Sequence, residues 1–209
     1  MLSATGNQQY GFLVATAYEN APIKEKRAIK HYDSLNKSNH VFWKRLLSRI
    51  NVTFYSTFKK NEGKIIKVLG KEYKIIHSED YTTQSEMKKD VEEKKTLKIS
   101  IDYSTHPYFS LEDNIIFRTV HDYIVHILGN KQFGLHGEIQ SYNLHAKLVP
   151  PQARPAIFTE VVGQASYATV FGNFPIQKAA ILDGFDYDRV GEVQDYDIIN
   201  KQLKKREGQ

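Results

Sequence analysis

A chain of 209 residues, 41% hydrophobic and 25% charged, is long enough for one sizeable core and too apolar for a disordered tract. The absence of cysteine excludes disulfides, a thiolate nucleophile and Cys-based zinc sites. The net charge of +5 comes mostly from lysines interleaved with acids, which reads as a solvated surface in preference to a nucleic-acid footprint.

Residues 1–20 are small and polar without a clear period, and we expect a loosely docked arm there. The opening MLSATGNQQYGF lacks a basic region followed by an apolar one, so no signal peptide is expected. Pro22 suits the first turn of a helix through IKEKRAIKHYDSL, with Asn36–Asn39 interrupting it. His40–Ile50 then reads as an amphipathic helix. VTFYSTF alternates from Val52 and predicts a strand, and KIIKVLGKEYKIIH predicts two more around Gly70-Lys71. Asn61-Glu62-Gly63 is the expected turn before them. Ser85–Lys95 reads as a charged, exposed helix, and LKISID at 97–102 as the last strand.

Three helices are predicted next, over Asn114–Leu128, Leu135–Leu148 and Ala153–Phe171, with a short fourth over Pro175–Leu182. Gly129-Asn130, Pro150-Pro151 and Gly172 supply the stops. The longest apolar stretch, Ala156–Phe171, carries Glu160 and Gln164 and is no membrane span. The expected fold is α+β: a small antiparallel sheet beside a predominantly helical half, in one domain over 21–191. Residues 192–209 read as a charged tail.

Phe117–Glu160 holds four of the eight histidines, His121, His126, His136 and His145, together with Asp122, Glu138 and Glu160. The helix over Asn114–Leu128 is apolar around almost its whole circumference, which implies burial. Buried imidazoles and carboxylates need partners, and a metal ion is one partner that satisfies several at once. On an ideal α-helix, positions five apart lie about 140° apart and positions four apart about 40°. The simplest pairing is therefore Asp122 with His126, whereas joint use of His121 and His126 requires a locally distorted turn. Glu138 and His145 share one stripe, and Glu160 and Gln164 another.

HDYIVH, followed by IFTEVVG, resembles the iron site of the tetrahydropterin-dependent aromatic amino acid hydroxylases. The likeness covers residues 117–164. It implies His121, His126 and Glu160 as a two-His-one-carboxylate set suited to non-haem Fe(II), with Asp122 matching the acidic residue beside the first histidine. A pterin site is left open. A second likeness runs through His106-Pro107, His121, His126, Gly137-Glu138, His145, Glu160 and Gly163-Gln164. In this order the chain resembles uncharacterised proteins carried by bacteriophages and other mobile elements, and it implies a host-cytoplasmic or virion setting.

The expectation is thus a mononuclear metal protein, an Fe(II) oxygenase-like enzyme acting on an unidentified small molecule. Its metal ligands would be His121, His126 and Glu160, with Asp122, Glu138 and His145 handling protons and Gln164 supporting a cofactor or ligand. The alternatives are a Zn(II)-dependent hydrolase with Glu138 as general base, and a non-enzymatic virion or host-interaction protein with a structural polar core. Neither a specific nucleic-acid partner nor a membrane is expected. Oligomeric state is not legible.

Overall fold

The computed structural model describes residues 4–48, 52–57, 65–68, 71–76, 80–101 and 104–191. The expected turn at 61–63 and the tail at 192–209 lie outside them. The chain is mostly helical, in the order α1 (Ala4–Asn20), α2 (Ile29–Leu47), β1 (Thr53–Thr57), β2 (Ile65–Val68), β3 (Lys71–Ile76), α3 (Gln84–Lys94) and β4 (Thr96–Ser100). Then follow α4 (Leu111–His121), a first π-helical segment (Asp122–Leu128), α5 (Leu135–His145), α6 (Arg154–Ile157), a second π-helical segment (Phe158–Gly163) and α7 (Gln164–Phe171). By Cα packing the chain divides into two compact units, Asn36–Phe133 and Met1–Leu35 with Gly134–Gln209.

In the unit Asn36–Phe133 the strands run in the order β2-β3-β1-β4. The sheet is mixed, not the antiparallel one expected. Only β2 and β3 pair antiparallel, with Ile65 opposite Lys74. β1 pairs parallel with β3 on one side and with β4 on the other. Parallel neighbours cannot be joined by a tight turn and need a crossover, usually a helix. The run from β3 to β4, which passes across β1, contains such a helix, α3, which is set by a capping box. The Thr83 side chain accepts from Glu86 N–H, and the Glu86 carboxylate accepts from the Thr83 backbone. The backbone N–H and hydroxyl of Thr82, and then the backbone N–H of Thr83, hold the Glu86 carboxyl below its ordinary range.

The core of this unit gathers Trp43 and Leu46 of α2, Met87 and Val91 of α3, alternate residues Leu97 and Ile99 of β4, and Ile115, Ile116 and Val120 of α4. Ser110 caps α4 by accepting from Asp113 N–H. The expected break at Asn36–Asn39 is not there, and α2 runs through it. The buried stripe Tyr32, Leu35, Asn39, Trp43 repeats at helical spacing, and burying it outweighs the poor helix propensity of the polar run.

In the other unit, residues 4–20 form α1 instead of an arm. Tyr10, Leu13, Val14 and Tyr18 lie on its buried face, and α1 packs most extensively on α7. The end of α1 is closed by Lys178, whose Nζ donates to the carbonyls of Tyr18 (2.8 Å), Glu19 (2.8 Å) and Ala21 (2.7 Å). A cation on the unpaired carbonyls of a helix C-terminus satisfies both hydrogen bonds and dipole. Residues 175–182 are extended rather than helical. Ala179 bridges Lys24 in parallel, donating to Ile23 O and accepting from Glu25 N–H, and a paired backbone leaves no ladder for a helix. Phe158 centres an aromatic cluster with Tyr142, Phe185 and Tyr187 at centroid distances of 5.6, 5.2 and 5.3 Å.

Gly163, at the end of the second π segment, lets Tyr18 and Leu182 close over the backbone. A Cβ there would lie 2.7 Å from Tyr18 Cδ2 and 3.2 Å from Leu182 Cδ1. Gly163→Ala is therefore expected to cost about 1–3 kcal/mol through overpacking, read as a lower urea midpoint. An unchanged midpoint would mean that the Tyr18 ring yields freely.

Candidate metal centre

His121 ends α4, and the next residue opens the first π segment, so the local geometry differs from the ideal helix assumed for the sequence. In an α-helix the i→i+4 bond stacks residues four apart, whereas in a π turn the i→i+5 bond stacks residues five apart. Gly129 N–H donating to Ile124 O at 2.9 Å shows that register. The consequence is that His121 and His126 come to one side. Their rings lie 5.0 Å apart, edge to face at 77°. The distorted turn that joint use of both imidazoles required is present.

His121 and His126, both buried, each offer one ligand atom, and these lie within 4.8 Å of each other. Such a pair could supply two ligands to a metal ion. Burial pushes the His121 imidazolium down to about 4, so the ring is neutral and able to ligate at neutral pH. His126 Nδ1 lies 2.8 Å from the Lys131 carbonyl, which can only accept, so Nδ1 carries the proton and Nε2 is the lone-pair nitrogen. Phe133 meets the His126 ring edge to face at 4.7 Å, and Phe117 packs by His121 at 6.1 Å.

Of the other site residues expected from sequence, Glu138 is half-buried in α5, and Glu160, expected as the third ligand, is buried in the second π segment. Its Oε1 accepts from the Tyr32 hydroxyl at 2.6 Å and its Oε2 from Gln164 Nε2 at 2.7 Å. The shared face of Glu160 and Gln164 is thus realised as a hydrogen bond between them. Burial, then the charge of Glu160, pushes the Tyr32 and Tyr18 phenols well up. His145 is fully buried at the end of α5. Asp122 is half-buried, and its charge is felt at the Tyr81 hydroxyl after burial and Asp90.

Three participants escaped the sequence reading. Tyr32 lies 128 residues from Glu160 and carries no local signal. The Lys131 carbonyl is a backbone group and leaves no mark on sequence. Gln84 had a signal, since it begins the buried stripe Gln84, Met87, Val91 of α3 at helical spacing. The chain was compared with protein families, with curated proteins and with solved structures, and it matches none of them.

Proposed function

We propose that the chain is a mononuclear metal protein in which His121 and His126 are two of the ligands and non-haem Fe(II) is the metal. The observation that carries this is the meeting of two buried imidazoles, 5.0 Å apart and with ligand atoms within 4.8 Å of each other. They are the two histidines that the hydroxylase resemblance implied for Fe(II) with open positions. Bound there, the metal would supply redox chemistry and coordination sites for a small-molecule substrate. The protein's part is to keep His121 neutral and to aim Nε2 of His126. Glu160 belongs to the scaffold of its own unit, tied to Tyr32 and Gln164. Asp122 and His145 keep the proton-handling roles suggested by their positions. The phage setting follows from the second resemblance alone.

Elemental analysis of protein purified anaerobically without chelator tests the reading. One iron per chain is expected, with His126→Gln losing most of it, because the amide keeps much of the side chain's size and removes the ligating nitrogen. Stoichiometric zinc without iron would move the reading to a metal-dependent hydrolase, for which two histidines and a glutamate are also a known set. A protein that purifies free of divalent metal and whose thermal midpoint ignores added Fe(II) and Zn(II) would sink both.

A further inference from the structure

Gln84 is 2% exposed, although it opens a helix whose other faces are charged. A buried amide must find partners, and its partners define what it does. Gln84 Nε2 donates to the main-chain carbonyl of His126 at 2.7 Å and to Asn130 Oδ1 at 3.1 Å. Its Oε1 accepts from Gln132 Nε2 at 3.3 Å. One side chain therefore grips a histidine of the π segment and both residues that flank Lys131. The first of these bonds falls within the π segment. Gly129 N–H returns to Ile124 O and Lys131 N–H to Val125 O at 3.2 Å, and the carbonyl of His126 takes the side-chain amide. Lys131 in turn holds Nδ1 of His126, while Asn130 takes a left-handed backbone (φ 51°) that turns the chain back over the ring.

We infer that Gln84 is the positioning residue of this centre: by clamping the His126 carbonyl and the 130–132 turn together, it selects the Nδ1–H tautomer and presents Nε2. The inference deepens the metal reading and rests on it for its purpose, but the tautomer it dictates belongs to the metal-free protein as well. Residues that orient a ligating histidine through its other nitrogen are worth about ten- to hundred-fold in metal affinity.

The experiment uses the full chain, with Gln84→Met as the variant that keeps length and removes the amide. Val91→Ala, on the same buried face of α3, is the control for general loosening of the helix. Long-range 1H–15N NMR reads the His126 tautomer in metal-free protein, and Co(II) titration reads affinity and the visible ligand-field spectrum. The wild type and Val91→Ala should show the single Nδ1–H form and the same cobalt spectrum. Gln84→Met should show a mixture of tautomers, an altered spectrum and affinity down by about ten- to hundred-fold. Should Gln84→Met fail to fold, Gln84→Glu, which has no amide donor, replaces it with the same expectation. A Gln84 variant that keeps the wild-type tautomer overturns the inference, as does a Val91→Ala protein that loosens His126 equally. If wild-type protein takes up no Co(II), the metal reading falls while the tautomer comparison still decides the role of Gln84.

Discussion

Acidifying the metal-free protein from pH 6.5 to pH 4 is expected to remove on the order of 3 kcal/mol of stability through His121 alone. The folded ring titrates at about 4 because it is buried, whereas the unfolded ring titrates near 6.5. Between those values the unfolded state binds the proton and the folded state does not, so falling pH favours unfolding. The stability is complete above pH 6.5, declines through the window and levels off below about 4. Asp113, which His40, Ser110 and Asn36 hold below its ordinary range despite burial, and Glu86 also lose their contributions in acid. Their loss lies lower, toward their own depressed values. Urea unfolding in the presence of chelator, repeated on His121→Gln, isolates the histidine. The variant should be less pH-dependent across the window, and equal slopes in both proteins would contradict a buried neutral imidazole. Added metal should steepen the contrast, since a proton and a metal compete for the same nitrogen.

The second large effect is at Glu160, where leucine and glutamine should behave differently. Glu160→Leu removes both acceptors and strands the Gln164 amide in a buried site, at a cost of about 3 kcal/mol. Glu160→Gln should cost less than half as much, because the Tyr32 hydroxyl has a second acceptor. That hydroxyl lies 2.9 Å from the Lys178 carbonyl, so it can donate there and accept from the new amide. Gln164 then keeps the remaining carbonyl oxygen. Thermal melts with and without Fe(II) or Zn(II) separate scaffold from ligand. The metal-induced rise in midpoint should survive in Glu160→Gln and disappear in His126→Gln. Its loss in Glu160→Gln as well would make Glu160 a ligand.

How much of this was readable in the residues differs from element to element. The strands at 53–57, 65–68, 71–76 and 96–100 follow the alternation seen in the sequence, because period two is a local property of a half-buried chain. Their pairing is not local. Nothing in VTFYSTF says that it will lie between β3 and β4, parallel to both. Residues 4–20 misled for a related reason. With Gly, Thr, Asn and Gln among them, their helix is weak by propensity, and Gly11 serves only to let Leu135 approach. Residues 175–182 misled in the other direction, since their extended form depends on pairing with the Lys24 segment.

By itself the sequence determined that His121, His126, Glu138, Glu160 and Gln164 would be costly polar groups in apolar surroundings, because composition and helical period place them there whatever the topology. It also determined that Glu160 and Gln164 could bond, since four residues of helix bring them together. Only the tertiary structure decided which groups meet. A π register turned His121 and His126 to one side, and the His126 carbonyl within it accepts from Gln84, a side chain 42 residues away. The Tyr32 hydroxyl engaged Glu160. Hydrogen-bond partners drawn from distant segments carry no sequence period, and a one-residue change in helical register rotates every following side chain.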